Sequence, residues 1–294
     1  MNQQLREIVD AHPVAAFFVL AYAISWVAWL APILELAEPF RTLGYLIGGF
    51  GPALAALVIT WLGTDSIRAW ARQIVDWRVP PRWYLAALVI PLLVVALTGV
   101  GLAVLGTSSV DLGLLPGRVS LVLVSFVSIA LVGGGNEEPG WRGLALPKLE
   151  ERYTPVSATL VVGVVWALWH LPLLATGTTE LHGLASFVEL APTTAVRILN
   201  IVGVAFVLTW IYNATGSVLL AIIAHTGFNT ANSTLVPLPL ETISAGDSTT
   251  ILVATTVVLW VVVAVLLVGT RGRLGYDGAS AGPDRGEQGR PETQ

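Results

Sequence analysis

Residues 119–142 read VSLVLVSFVSIALVGGGNEEPGWR, an uncharged run that ends in two glutamates, a proline and an arginine. A membrane-spanning helix needs roughly 20 apolar residues, because the hydrocarbon core is about 30 Å thick and each residue rises about 1.5 Å. Charged side chains within or beside such a run are costly in a bilayer, and they mark functional sites by default. This stretch therefore predicts both a membrane fold and the location of its chemistry.

The same pattern recurs along the chain. Of its 294 residues, 55% are hydrophobic and 12% are charged, which is about half the charged fraction of a soluble domain. Runs with few or no charges cover residues 14–34, 42–64, 83–110, 119–136, 153–179, 198–240 and 248–270. The run at 198–240 is long enough for two helices, and the turn signal at Asn213–Gly216 divides it. We therefore predict an all-α, polytopic membrane protein of about eight transmembrane helices.

The chain reads as a single membrane domain at residues 1–276, followed by a tail at 277–294. The tail has no apolar periodicity, so we expect it to be disordered. With eight spans, the loops and termini on one side hold eleven Lys and Arg residues and those on the other hold three, leaving Arg142 aside. Because basic residues concentrate on the cytoplasmic side, both termini are predicted to lie in the cytoplasm. We expect a multi-pass protein of the cell membrane.

Composition also excludes several functions. The chain has no cysteine, so it can contain no disulfide, no thiolate metal site and no cysteine nucleophile. Its formal net charge of −4 is mild and offers no basic patch of the kind that nucleic acid requires. We predict partners in the lipid bilayer and no nucleic acid.

Strongly polar side chains form three clusters on the predicted helices four, five and seven. These clusters are Asn136–Arg142, Trp166–His170 and His225–Asn229. Counting about 1.5 Å per residue from the cytoplasmic helix ends places the key groups of all three at depths of about 14–22 Å. The clusters are therefore expected to meet at one level.

Spacing assigns different partners to the two glutamates. Glu138 and Arg142 are separated by four residues and can pair on one helix face, which leaves Glu137 free for another role. Pro139 either kinks the fourth span or starts a new helix. Each cluster could instead have a purely structural role. The first could be a capping ion-pair network, the second an interhelical hydrogen bond and the third a helix-packing contact. This interpretation is much weaker for the three clusters together than for any one.

Together these clusters resemble the CPBP family of intramembrane proteases, which includes CAAX prenyl endopeptidases of type II and bacteriocin-processing, Abi-like proteins. The Glu-Glu-x-x-x-Arg motif is complete at Glu137–Arg142, and His-x-x-x-Asn is complete at His225–Asn229. In the motif Phe-x-x-x-His, Trp166 replaces phenylalanine while His170 is in place. This aromatic exchange is expected to change the pocket shape more than the chemistry. The resemblance covers about residues 119–231.

The resemblance implies an intramembrane endopeptidase that uses an activated water on a membrane-bound protein or peptide. We expect Glu137 to act as general base with His170, Glu138 and Arg142 to brace it, and His225 and Asn229 to stabilise the oxyanion. In an alternative with a metal, His170, His225 and one glutamate, Glu137, would bind zinc.

Two other functions remain open from the sequence. A secondary transporter would also carry charged groups at mid-membrane, but it should show paired broken helices in two related halves. A non-catalytic immunity or scaffold protein could keep the protease fold and bind a peptide. Loss of a motif residue would favour that function, and the exchange at Trp166 is the one departure.

Overall fold

The computed structural model describes residues 3–106, 112–176, 184–235 and 245–277, and every regular element in these ranges is helical. Residues 278–294, where the sequence predicts a disordered tail, lie outside them. The α-helices before the glutamate motif are α1 (Gln3–Ala11), α2 (Pro13–Ile33), α3 (Phe40–Gly49), α4 (Gly51–Leu62), α5 (Ile67–Ile74), α6 (Pro81–Val104) and α7 (Val119–Val132). Two short 3₁₀ turns, Leu112–Leu114 and Pro116–Arg118, precede α7.

The glutamate motif opens a separate helical segment. It consists of α8 (Glu138–Gly140), a π-helical turn (Trp141–Ala145) and α9 (Leu146–Glu150). The remaining helices are α10 (Pro155–Trp169), α11 (Leu171–Thr176), α12 (Leu184–Thr215), α13 (Val218–Thr234) and α14 (Ala245–Gly269).

The predicted class is confirmed, but the count of eight spans is not. In the described part of the chain, five helices are long and apolar enough to cross a membrane, or six if α3 and α4, bent by 52° at Phe50, form one span. The other two predicted spans correspond to α7 and α13, which have 14 and 17 residues. At about 1.5 Å per residue these helices reach about 21 and 26 Å, short of a 30 Å core.

Helix packing surrounds the glutamate motif with other elements. Helix α2 lies against α3 and α4, α13 lies against α6 and α7, and α12 lies between α10 and α14. Close approach requires glycine at two points. A Cβ on Gly48 would collide with the Trp29 indole of α2, and a Cβ on Gly140 would lie 2.6 Å from the Pro52 carbonyl oxygen of α4. The segment at residues 138–150, here called the glutamate segment, therefore packs directly against α4.

Helix α14 exposes apolar side chains, whereas a soluble protein exposes mainly polar ones. On α14, Val257, Val261 and Val265 are each at least 60% exposed, while Leu259 and Val263 are buried on the opposite side. Apolar side chains that face outward along a whole helix are suited to lipid, since lipid tails carry no hydrogen-bonding groups. The exposed valines therefore agree with a membrane-embedded helix.

Candidate active site

The local sequence explains why the first motif is not on the fourth predicted span, which is a correction to the expected placement. Helix α7 ends at Val132, and Gly133 caps it. The next helical segment begins at Glu138 with Pro139 in its first turn, a position where the missing N–H of proline costs nothing. Of the two alternatives for Pro139, the new helix is correct. Glu137 thus precedes the segment as its N-cap residue, and Glu138 is its first residue.

Glu138 connects the first motif to the third. Nη1 of Arg142 donates to both carboxylate oxygens of Glu138 at 2.9 Å, and both side chains are fully buried. Nδ1 of His225 lies 2.8 Å from Oε1 of the same carboxylate. An ionised carboxylate only accepts hydrogen bonds, so Nδ1 of His225 carries the proton. Glu138 therefore holds Arg142 and the α13 histidine in one network.

Glu137 turns instead toward the second motif. Nε1 of Trp166 donates to Oε2 of Glu137 at 2.6 Å, and Nε2 of His170 lies 3.9 Å from the same oxygen. In the described residues no Arg or Lys forms an ion pair with Glu137 within 4.0 Å. The two adjacent carboxylates thus have different partners. The four-residue spacing of Glu138 and Arg142 indicated this difference.

The end of α10 fixes the ring of His170. Its Nδ1 lies 2.9 Å from the Trp166 carbonyl oxygen, and a carbonyl only accepts, so Nδ1 donates and Nε2 of the neutral ring keeps its lone pair. Two side chains of α2 hydrogen-bond to other carbonyls of this helix end. The Tyr22 hydroxyl donates to Val165 at 2.6 Å, and the Trp26 indole donates to Trp169 at 3.0 Å. The Trp169 carbonyl is among those that a helix C-terminus leaves without intrahelical partners.

Asn229 lies on α13, one helical turn after His225. Its side chain is exposed, and Nδ2 donates to the Gly133 carbonyl oxygen at 2.9 Å. Because a side-chain amide has two N–H groups, one remains for a ligand. His170 is also partly open, with 23% of its side chain exposed, whereas Glu137 is 7% exposed. Contacts therefore join Glu137, Glu138, Arg142, His170 and His225 into one cluster through Trp166. Asn229 contacts Gly133 instead.

The residues of the zinc alternative do not form a ligand set in this arrangement. Among the described residues, no group of three or more His, Asp or Glu side chains is placed to hold a metal ion. Both histidines donate from Nδ1, His225 to Glu138 and His170 to a backbone carbonyl, which leaves each Nε2 available to a ligand.

Two contributions were missed by sequence reasoning. The first is the indole N–H of Trp166, which donates to Glu137. The exchange of Phe for Trp therefore adds a hydrogen bond as well as changing the shape of the pocket. In addition, the Trp70 indole of α5 donates to the Pro139 carbonyl at 2.9 Å, and Nε2 of Gln73 donates to the Gly143 carbonyl at 3.3 Å. The N–H that tryptophan adds could have indicated a hydrogen bond from Trp166. No local pattern in the sequence relates α5 to the glutamate segment.

Comparison with known proteins points to one family. Residues 119–231 match the Rce1-like family, described as type II CAAX prenyl endopeptidase Rce1-like, and all six candidate residues lie in this range. The chain is 28% identical over 147 residues to a protein of Methanococcus maripaludis named CAAX prenyl protease 2. This match covers 47% of the chain and 50% of the relative, so the chain spans about half the length of the curated relative it matches.

Proposed function

We propose that this chain, which belongs to the CPBP family of intramembrane proteases through its Rce1-like region at residues 119–231, is an endopeptidase that cleaves a membrane-associated substrate. One observation carries the proposal. Glu138 is neutralised by Arg142 at 2.9 Å, whereas the adjacent Glu137 faces the open ring of His170. A carboxylate with no Arg or Lys ion pair within 4.0 Å among the described residues, beside a histidine with a free lone pair, suits the activation of water.

The nucleophile in this proposal is a water between Glu137 and His170. Their 3.9 Å separation is too long for a direct hydrogen bond, but both acceptors can share the two hydrogens of one water. Glu137 would take a proton from this water as its oxygen attacks the carbonyl carbon of the scissile peptide bond. The same proton would then pass to the leaving amine, so Glu137 returns to its starting state.

The developing oxyanion would be stabilised by the third motif. Asn229 offers its second amide N–H, and His225 can donate from Nε2 only when the ring carries both protons, since Nδ1 already donates to Glu138. His225 therefore contributes to the oxyanion only as a ring that carries both protons, whereas Asn229 contributes through an N–H that it already has.

The substrate class proposed here is a C-terminal CAAX-type protein or peptide, with a bacteriocin-type peptide as the second candidate. The family description and the name of the Methanococcus maripaludis relative support the first. These comparisons also favour a protease over the transporter that the sequence alone left open. A non-catalytic protein with the same fold is separated from an enzyme by the following experiment.

The test is cleavage of a prenylated CAAX-type peptide by the purified full-length protein in lipid vesicles. Glu137→Gln keeps the size of the side chain and removes the base, so turnover should fall below detection while the protein stays folded. Glu138→Gln should reduce turnover less, because it loosens Arg142 and His225 without removing the base. Reversing the charge of Arg142 should be worse than Glu138→Gln, since it adds a third buried anion.

The matched control is Glu151→Gln, which makes the same chemical change at an exposed position and should cleave like the wild type. Wild-type cleavage by Glu137→Gln would overturn the proposed mechanism. Chelation followed by elemental analysis tests the zinc alternative. A stoichiometric zinc whose removal ends cleavage would reassign His170 and His225 as ligands.

A further inference from the structure

Trp166 contacts four of the six candidate residues, although it matches the family pattern only as an aromatic residue. Its Nε1 donates to Oε2 of Glu137 at 2.6 Å. Its ring lies under the guanidinium of Arg142, whose Cζ is 4.7 Å from the ring centroid. The indole also meets the His225 ring edge-on at 5.1 Å and the His170 ring at 5.9 Å. The side chain itself is only 2% exposed.

Phenylalanine could reproduce most of these contacts but not all of them. A phenyl ring also attracts a cation over its face and packs edge-to-face against imidazole rings. It has no N–H, however, and therefore cannot donate to a carboxylate. The hydrogen bond to Glu137 is thus the property that tryptophan adds at this position.

We propose that Trp166 is a positioning residue that fixes the carboxylate of Glu137 through its indole N–H. This inference rests on the proposed function, in which Glu137 activates the water. Glu137 precedes its helical segment and accepts no other side-chain hydrogen bond in the described part of the chain. The terminal torsion of a glutamate is broad, so the indole defines which oxygen lies near His170 and how the carboxylate plane is turned.

Orientation of the base matters because proton transfer requires the acceptor within hydrogen-bonding reach of the water. Catalytic groups must be held within about 0.5 Å of the productive geometry. In this chain a donor on α10 supplies that constraint.

The experiment compares Trp166→Phe with the wild type in the peptide-cleavage assay. Losing a hydrogen bond to a charged group corresponds to roughly a tenfold to hundredfold effect, so kcat should fall by about that factor. KM should change less than about twofold, because the indole is assigned to the base and not to the substrate. Unchanged kcat would overturn the inference and leave the proposed function intact.

A stability cycle tests the contact independently of activity. Thermal unfolding in detergent is measured for the wild type, Trp166→Phe, Glu137→Ala and the double variant. If Trp166 stabilises the protein through Glu137, the effects of the two substitutions are coupled. Trp166→Phe should then lower the Tm more in the wild type than in Glu137→Ala. Equal shifts in both backgrounds would show that Trp166 only fills space, and would overturn the inference.

The control for packing is Trp169→Phe, three residues away on the same helix. Trp169 is equally buried, and its Nε1 has no hydrogen-bond partner among the described residues. Its Tm shift therefore measures the loss of indole volume alone. If the wild type cleaves no substrate, the proposed function fails, but the stability cycle still supports or overturns the Trp166–Glu137 bond.

Discussion

At the residue scale, two adjacent glutamates acquire different environments because Glu137 is the N-cap residue of the segment, whereas Glu138 is its first helical residue. Glu138 turns to Arg142 and to His225 of α13, while Glu137 turns to Trp166 and His170 of α10. The pairing of Glu138 with Arg142 could be predicted from their spacing of four residues. The partners of Glu137 could not, because they lie on another helix.

Asn229 carries the residue-scale prediction. Loss of one oxyanion donor typically lowers turnover by about 10²–10³-fold, so Asn229→Ala should reduce kcat by that order. Its side chain is exposed and donates to a single carbonyl, so the Tm should change little. Both values are measured on the purified protein.

The control is Asn200→Ala, which removes an amide that donates to Thr256 between α12 and α14. This variant should lose some stability but keep wild-type kcat. Full activity of Asn229→Ala would instead assign Asn229 to helix packing.

At the scale of elements, two side chains of α5 hydrogen-bond to the glutamate segment and hold it in place. Trp70 and Gln73 donate to the carbonyls of Pro139 and Gly143, and the Tyr212 hydroxyl donates in turn to Oε1 of Gln73. The π-helical turn at Trp141–Ala145 contains Gly143, and such turns are frequent at functional sites. Helix α5 is therefore a support of the site and not only a surface connection.

Trp70→Phe tests this support. Removing one hydrogen bond typically costs about 0.5–1.5 kcal/mol, so the Tm should fall and kcat should fall several-fold with KM unchanged. The measurements are a thermal unfolding curve and the cleavage assay. The matched control is Trp77→Phe, whose side chain is 65% exposed and should behave like the wild type. Equal behaviour of the two variants would contradict a supporting role for α5.

At the scale of the whole molecule, segments predicted to be cytoplasmic contact one another at one end. Lys148 pairs with Asp65 at 2.7 Å, and the hydroxyl of Ser217 donates to the Asp76 carbonyl at 2.6 Å. Arg118, predicted on the other side, donates instead to the Thr234 carbonyl at the end of α13. This grouping agrees with the sides assigned by charge counting, whereas the orientation of the molecule stays a prediction.

Reporter fusions test the orientation. A reporter after Gln294 should be cytoplasmic, because eleven of the fourteen basic residues counted lie on that side. A reporter in the connection that the sequence predicts at residues 178–196 should be external. The control is a fusion next to Asp65, in the loop after the second predicted span, which should agree with the C-terminal fusion. A C-terminal reporter outside the cell would contradict the predicted topology.

The sequence by itself determined the membrane class, and it supplied the family resemblance and the six residues of the candidate site as predictions. Long apolar runs and rare polar exceptions are local features, and they can be read without knowing which helices touch. Only the tertiary structure decided that α7 ends before Glu137, that Trp166 donates to Glu137 across 29 positions, and that His225 meets Glu138 across 87. These contacts depend on which faces of distant helices pack together, and hydrophobic periodicity carries no information about that when a helix is apolar on every side.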